Sequence, residues 1–295
     1  MLPEVLKYLA PKDGGIYVDA TFGNGGYSEA ILKTADCRII ALDRDPTVLP
    51  RAEEMKAQYG SRFEFRAGCF GDFAGLVSEK IDGAVFDIGV SSMQLDEAER
   101  GFSFSKDAPL DMRMSQSGPS AADLVNSLSE SDLADLIYTY GEERRSRAIA
   151  RRIAETRKKT PIATTRQLAE LIYTVNHRIP GQIDPATRTF QALRIAVNDE
   201  LGELKAGLAG ATQRLVSGGR LVVVDFHSLE DRIVKNYFKA NGGKNVHVSR
   251  YKPQDQNLNP GTAFSECSRA ITPSPEETAE NPRSRSAKLR YAVKQ

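Results

Sequence analysis

The sequence predicts an α/β fold: a mostly parallel sheet flanked by helices, with an all-helical segment inserted between its strands. Three observations carry that prediction. Short apolar runs alternate with amphipathic stretches through the first hundred residues, the βαβα signature of a parallel sheet covered on both faces. A glycine-rich turn follows the first of those runs and opens a helix. From about Ser105 to Lys205 the strand pattern disappears and helix-start signals take its place.

Ile16 to Asp19 reads as the first strand, Gly23, Asn24, Gly25 and Gly26 as the turn after it, and Ser28 to Leu32 as an apolar-periodic helix. Glycine accepts positive φ and has no Cβ, so a ligand can approach the backbone closely there, and the helix start offers it free N–H groups. The spacing is not that of a dinucleotide fingerprint. An acid four residues ahead of Gly23-x-Gly25-Gly26 resembles instead the first motif of S-adenosylmethionine-dependent methyltransferases. The second strand, Arg38 to Asp43, ends in an acid twenty residues after Gly23. Asp43 there either reaches both hydroxyls of a bound ribose or merely starts the turn Asp-Arg-Asp-Pro. Phe63 to Ala67 and Ala84 to Asp87 make the third and fourth strands. Ligands of open parallel sheets sit at the carboxyl ends of strands, so Gly23, Asp43, Gly68 to Phe70 and Asp87 should converge on one crevice. Phe70 lies there against an adenine ring or packs as a core aromatic.

Within the insertion, Ser129 with Asp132 and Thr164 with Gln167 mark helix starts, Leu133, Leu136, Ile137 and Tyr140 fall at helical spacing, and Asp184-Pro185 announces another helix. The sheet resumes with Leu221 to Asp225, followed by a helix from Leu229 to Phe238 and strand-like segments near Val246 and from Leu289 to Val293. Asn257 to Ser286, rich in Pro, Ser, Glu and Thr, reads as a loop. The expected division is a catalytic domain of residues 1–104 and 206–295 with a helical insertion at 105–205.

Composition narrows the functional class. A chain of 295 residues, 40% hydrophobic, has the material for a full core. No apolar run approaches a membrane span and no signal region opens the chain, so cytoplasmic residence without a membrane partner is the expectation. Cys37, Cys69 and Cys267 are widely spaced, without a neighbouring His, so neither a metal site nor a disulfide framework is expected. Net charge is only +1, but Glu142 to Lys159 holds six Arg and two Lys against three Glu, and the tail from Arg283 to Lys294 is basic in all its charged residues. Such a helix contacts nucleic-acid phosphates or is a solvated face laced with i, i+4 pairs.

Four longer strings add a resemblance. Asp87-Ile-Gly-Val-Ser-Ser-Met-Gln-Leu-Asp-Glu-Ala-Glu-Arg-Gly-Phe-Ser-Phe, Pro109-Leu-Asp-Met-Arg-Met, Thr189-Phe-Gln-Ala-Leu-Arg-Ile-Ala-Val-Asn-Asp-Glu-Leu and Asp225-Phe-His-Ser-Leu-Glu-Asp-Arg-Ile-Val-Lys closely resemble, in that order, segments of the MraW family of bacterial 16S ribosomal RNA cytosine-N4 methyltransferases. The resemblance runs nearly end to end. It implies a Rossmann-like class I methyltransferase fold and methyl transfer from S-adenosylmethionine to the exocyclic amine of a decoding-centre cytidine, cytidine 1402 in the family's usual description. It further implies that the insertion recognises RNA, that the partner is 16S rRNA in the small ribosomal subunit, and that no metal is required. A homodimer is compatible with it. This chain departs from the family in three places: Tyr27 stands where His is usual, Met93 where Pro is common, and Met1 falls near the end of the family's opening segment, so an N-terminal strap is expected to be missing.

By the resemblance, the glycine turn from Gly23 through Asn24, Gly25 and Gly26 to Tyr27, together with Asp43, Phe70, Asp87 and Gln94, binds the methyl donor. Asp87 either holds the donor's amino-acid end, accepts from the cytosine amine, or positions the turn to Gln94. Asp111 and His227 join Asp87 as candidate catalytic residues, and Arg113, Arg151, Arg152, Ser228 and Asp231 are candidates for binding substrate. His227 follows a strand at its carboxyl end, where it meets a base or phosphate or caps the helix beginning near Ser228. His177 and His247 receive no role. Competing readings are a methyltransferase of another RNA, of DNA or of a small-molecule amine, a nicotinamide-dependent dehydrogenase, and a ribosome-binding factor without catalysis.

Overall fold

A computed structural model describes residues 1–242 and 262–295. The strand expected near Val246, His247, and residues 257–261 of the expected loop lie outside the described residues. The chain divides into two compact units, one of residues 1–89 and 201–295, the other of residues 90–200.

The first unit is built on a seven-stranded sheet in the order β3-β2-β1-β4-β5-β7-β6. Its parallel members are β1 (Ile16–Asp19), β2 (Arg38–Asp43), β3 (Phe63–Ala67), β4 (Ile81–Asp87) and β5 (Leu215–Asp225), and β6 (Phe264–Cys267) and β7 (Lys288–Lys294) add an antiparallel edge. Strands buried on both faces read as unbroken apolar runs, which is why β2 and β4 are visible in the sequence, whereas β3, at the sheet edge with only Phe63 buried, shows instead the alternation of Phe63, Glu64, Phe65 and Arg66. Alternate residues feed two cores. Val18, Ile40, Phe86 and Val223 pack on one face with Leu204 and Leu208 of α11 (Glu200–Arg214) and Val234 and Phe238 of α12 (Ser228–Asn241). Tyr17, Ile39, Val85 and Val222 pack on the other with α1 (Leu2–Leu9), α2 (Gly26–Thr34) and α3 (Leu49–Tyr59) through Leu9, Ile31 and Met55. A short α4 (Phe73–Leu76) leads into β4, with Phe73 stacked on Phe86.

The second unit holds α5 (Ser92–Asp96), α6 (Ala121–Ser127), α7 (Glu130–Gly141), α8 (Ser146–Arg157), α9 (Thr165–Val175) and α10 (Ala186–Asn198). These share a core of their own that includes Leu110, Val125, Ile137, Ile153, Leu168 and Leu193. Ser129 accepts from the Asp132 N–H at 3.1 Å, and Thr164 with Gln167 completes a capping box, at the helix starts the sequence marks.

Several boundaries differ from the sequence reading, β4 among them, which starts at Ile81 rather than Ala84. α2 begins at Gly26 and reaches Thr34, because Gly25 in the left-handed conformation serves as its N-cap. β5 starts at Leu215, with its register against β4 breaking between Ile81 and Gly83 so that Val216 to Gly219 form an irregular stretch turned by Gly218 at φ 77°. The units divide at 89/90 and 200/201 rather than at 105 and 205. Asp199 breaks the helix with φ 47°, and an unbroken helical pattern in the sequence hides that break. The expected loop up to Ser286 contains β6, whose Phe264 is fully buried, and α13 (Pro275–Glu280), capped by Ser274 accepting from the Glu277 N–H at 3.1 Å. Polar composition conceals both.

Candidate active site

Four of the parallel strands end in aspartate: Asp43 on β2, Asp19 on β1, Asp87 on β4 and Asp225 on β5, adjacent in that order across the sheet. Four carboxylates at one sheet edge repel one another unless they are engaged, neutralised or met by a cation. Each meets this differently.

Asp19 is fully buried and pins the start of α2, accepting from the Ser28 hydroxyl at 2.7 Å and its N–H at 3.1 Å, while its other oxygen takes the Thr21 N–H at 3.3 Å. Burial nonetheless raises its pKa to about 6. Asp43 clamps the glycine turn: one oxygen accepts from the Gly23 N–H at 2.8 Å and the other from the Asp45 N–H at 2.9 Å. It therefore does start the turn after β2, with the Arg44 N–H as a further backbone donor, and the four lone-pair sites of the carboxylate are not all taken by these three. Burial moves its pKa upward. Between these acids the chain turns tightly, Gly25 donating to the Phe22 carbonyl at 2.7 Å. Gly23 and Gly25 sit at φ 51° and 76°, and a Cβ on Gly25 would come within 2.7 Å of the Met55 sulfur, so neither tolerates a side chain cheaply. Asn24 is exposed, its carbonyl accepting from Arg51 at 3.3 Å. Around Gly26 a Cβ would meet nothing within 4 Å, and its N–H and that of Tyr27 belong to the first helical turn, where no carbonyl of the helix reaches them.

Asp87 stands beside this turn. Its N–H donates to the Thr21 hydroxyl at 2.8 Å and its carboxylate accepts from the Tyr27 hydroxyl. Oδ1 is buried and meets no hydrogen-bond donor among the described residues. Burial, with Asp19 adding its charge, raises the Asp87 pKa to about 7. Burial and Asp87 hold the Tyr27 hydroxyl well above its ordinary value, so it stays protonated and donates. Phe70, half-buried after β3, packs edge-on against Phe86 at 5.6 Å. The Gly68 N–H donates to the Asp43 carbonyl at 2.9 Å, so the third strand end closes on the second.

Asp225 and Ser28 carry no role in the sequence reading. Asp225 shows the same signal as Asp43 and Asp87, a buried strand ending in Asp. It is fully buried with neither oxygen bonded among the described residues, and burial with nearby Asp231 and Glu230 raises its pKa to about 8. His227 is the N-cap of α12: Nδ1 accepts from the Glu230 N–H at 3.5 Å and Nε2 lies 3.0 Å from a Glu230 oxygen. Ser228 opens that helix. Asp231 binds Lys288 at 2.9 Å and Arg290 at 2.7 Å, and these cations outweigh its burial to hold its pKa low.

The remaining candidates belong to the helical unit. Asp111 and Arg113 form a two-pronged pair, Nε to Oδ1 at 2.9 Å and Nη2 to Oδ2 at 2.7 Å, which outweighs burial and lowers the Asp111 pKa. Each thus occupies the other, a pairing two residues apart that sequence reading does not resolve. The Gln94 carboxamide accepts from the Ser91 N–H at 3.1 Å in a capping box at α5. Arg151 and Arg152 lie exposed on α8, 3.5 Å from Glu130 and 3.9 Å from Glu155.

The strand order, the glycine turn at the first strand end and the acids beside it define a Rossmann-like methyltransferase that takes S-adenosylmethionine as donor. A cationic sulfonium and ammonium suit a carboxylate-lined edge, and the orphaned Asp87 Oδ1 fits such a group. The chain belongs to the MraW methylase family, whose model matches residues 1–295. Relatives named Ribosomal RNA small subunit methyltransferase H are 55% identical in Rhodospirillum rubrum, covering 98% of this chain and 91% of that protein. One from Paramagnetospirillum magneticum is 52% identical over 100% and 94%, and one from Rickettsia bellii 54% identical over 100% and 97%. Among the described residues no helix is long and apolar enough to cross a membrane.

Proposed function

We propose that the protein methylates the N4 amine of a decoding-centre cytidine in 16S rRNA of the small ribosomal subunit. What carries this reading is that the family match spans residues 1–295, helical unit included, rather than the donor crevice alone. S-adenosylmethionine supplies an electrophilic methyl on a cationic sulfur. Asp43 takes the ribose hydroxyls on its remaining lone pairs, and Phe70 flanks the adenine. The first-turn N–H groups of α2 face the donor's carboxylate. Asp87, oriented by Tyr27, holds its ammonium through Oδ1. The cytosine amine is a poor nucleophile because its lone pair is delocalised into the ring, so holding it in line with the methyl–sulfur bond supplies much of the rate. Arg151 and Arg152 on α8 contact phosphates of the RNA.

The experiment is methyl transfer to small subunits purified from cells lacking the enzyme, with nucleosides read by mass spectrometry. N4-methylcytidine at the decoding centre is expected, and transfer to DNA alone, or none, overturns the reading. Asp87→Asn keeps the shape and loses the charge. Donor affinity should fall on the order of ten-fold or more while turnover recovers at saturating donor, since the lost contact already exists in the ground state. A defect that saturation cannot rescue would move Asp87 from donor binding to the amine.

A further inference from the structure

α7 ends at Gly141, where Glu142 at φ 50° reverses the chain, and Arg144, Arg145 and Arg147 follow within the turn and the first residues of α8. These arginines, Tyr138 from the last turn of α7 and Asp135 line a surface pocket of about 340 Å³. Tyr138 is 61% exposed, although a tyrosine ring ordinarily buries much of its apolar face. Two of the pocket's three guanidinium groups are not consumed by the fold. Arg145 donates to the Val175 carbonyl at 2.7 Å and braces the end of α9. Arg144 is exposed, and Arg147 approaches Asp135 only at 4.0 Å, with both side chains more than 70% exposed. Such a surface pair is worth little. Three guanidinium groups face one carboxylate around an uncovered ring, which asks for a ligand with an anion next to a flat π-face.

Single-stranded RNA has that chemistry: its unstacked bases lie on aromatic rings and its phosphates take forked contacts from arginine. A duplex hides its base faces, and an acidic peptide offers charge without the plane. We propose that this pocket seats one unstacked nucleotide of single-stranded RNA, its base on Tyr138 and its flanking phosphates on Arg144 and Arg147. The assignment rests on reading the protein as an RNA methyltransferase and gives the helical unit a base contact in addition to phosphate contacts along α8.

The probe is a dye-labelled octauridylate, titrated into the full chain by fluorescence anisotropy at several salt concentrations. Tyr138→Ala should weaken binding on the order of ten-fold, Tyr138→Phe should preserve it, and an Arg144→Gln, Arg147→Gln double variant should also lower the salt slope by about one to two. Melting curves check that all three remain folded. Unchanged affinity in Tyr138→Ala, an equal loss on a blunt RNA duplex, displacement by an oligoglutamate peptide at matching concentration, or no measurable binding by the unaltered protein would each overturn the proposal. Methyl transfer to small subunits separates this from the functional reading. A protein that methylates rRNA with the same KM in Tyr138→Ala, and the same octauridylate affinity, loses the pocket and keeps the function. One that methylates no rRNA, yet shows the expected octauridylate pattern, does the reverse.

Discussion

Asp225 ends β5 with both oxygens buried and unbonded among the described residues, so ionising it in the folded chain is unfavourable, and its pKa rises from 3.8 to about 8. A raised carboxyl pKa means that the unfolded chain releases this proton first. The contribution of Asp225 to stability is therefore complete below about pH 4 and is lost as pH rises through about 8. Asp225→Asn should melt level with the unaltered protein near pH 4 and progressively higher above it, by a few °C or more at pH 8. Calorimetry across that range tests this, and a gap that does not change with pH would mean Asp225 is not buried without compensation. Asp43 behaves differently because backbone N–H groups depend on it, so a change there disturbs the glycine turn along with any ligand. Its position and its part in the turn were legible from sequence, but the N–H groups it accepts were not, since nothing in the residue order says which of them turn back toward a strand end.

At the scale of elements, signals that are local in sequence survive into the structure. Ser129 with Asp132 and Thr164 with Gln167 state a helix start in four residues, and both helices begin there. α12 uses the same device with an unusual residue, His227, as its cap. If the cap is its work, His227→Asn, a strong N-cap, should hold the melting temperature, while His227→Ala costs about 0.5–2 kcal/mol. Turnover of the Asn variant at saturating substrates should stay within a few-fold. A hundred-fold fall with the fold intact would put the imidazole into the chemistry instead. What sequence reading missed at this scale depends on distant partners. β6 is a strand because Phe264 is buried and β7 pairs with it, and Ser265 and Glu266 by themselves give no strand pattern. The bidentate hold of Arg113 on Asp111 likewise follows from a loop shape that two residues of spacing do not specify.

For the whole molecule, the decisive feature is that the sheet-bearing unit is interrupted while the helical unit is continuous. Residues 90–200 have a hydrophobic core of their own, so that segment expressed alone should fold, with a helical circular dichroism spectrum and a cooperative melt. A spectrum of random coil would show that its core depends on the rest of the chain. The interruption also sets an order of events in time. β4 pairs with β5, yet Asp87 and Leu215 are separated by roughly 130 residues that must be synthesised between them. At about 5–20 residues per second this takes on the order of ten seconds. Throughout that interval the half-sheet of β1 to β4 on a growing chain has no β5 to pair with the open edge of β4, and the cluster that buries Phe86 lacks Leu204, Leu208 and Val223, which are made later. Chaperone demand during translation should fall mainly in that window, and a faster-decoded stretch across codons 90–200 would shorten it without altering a single residue.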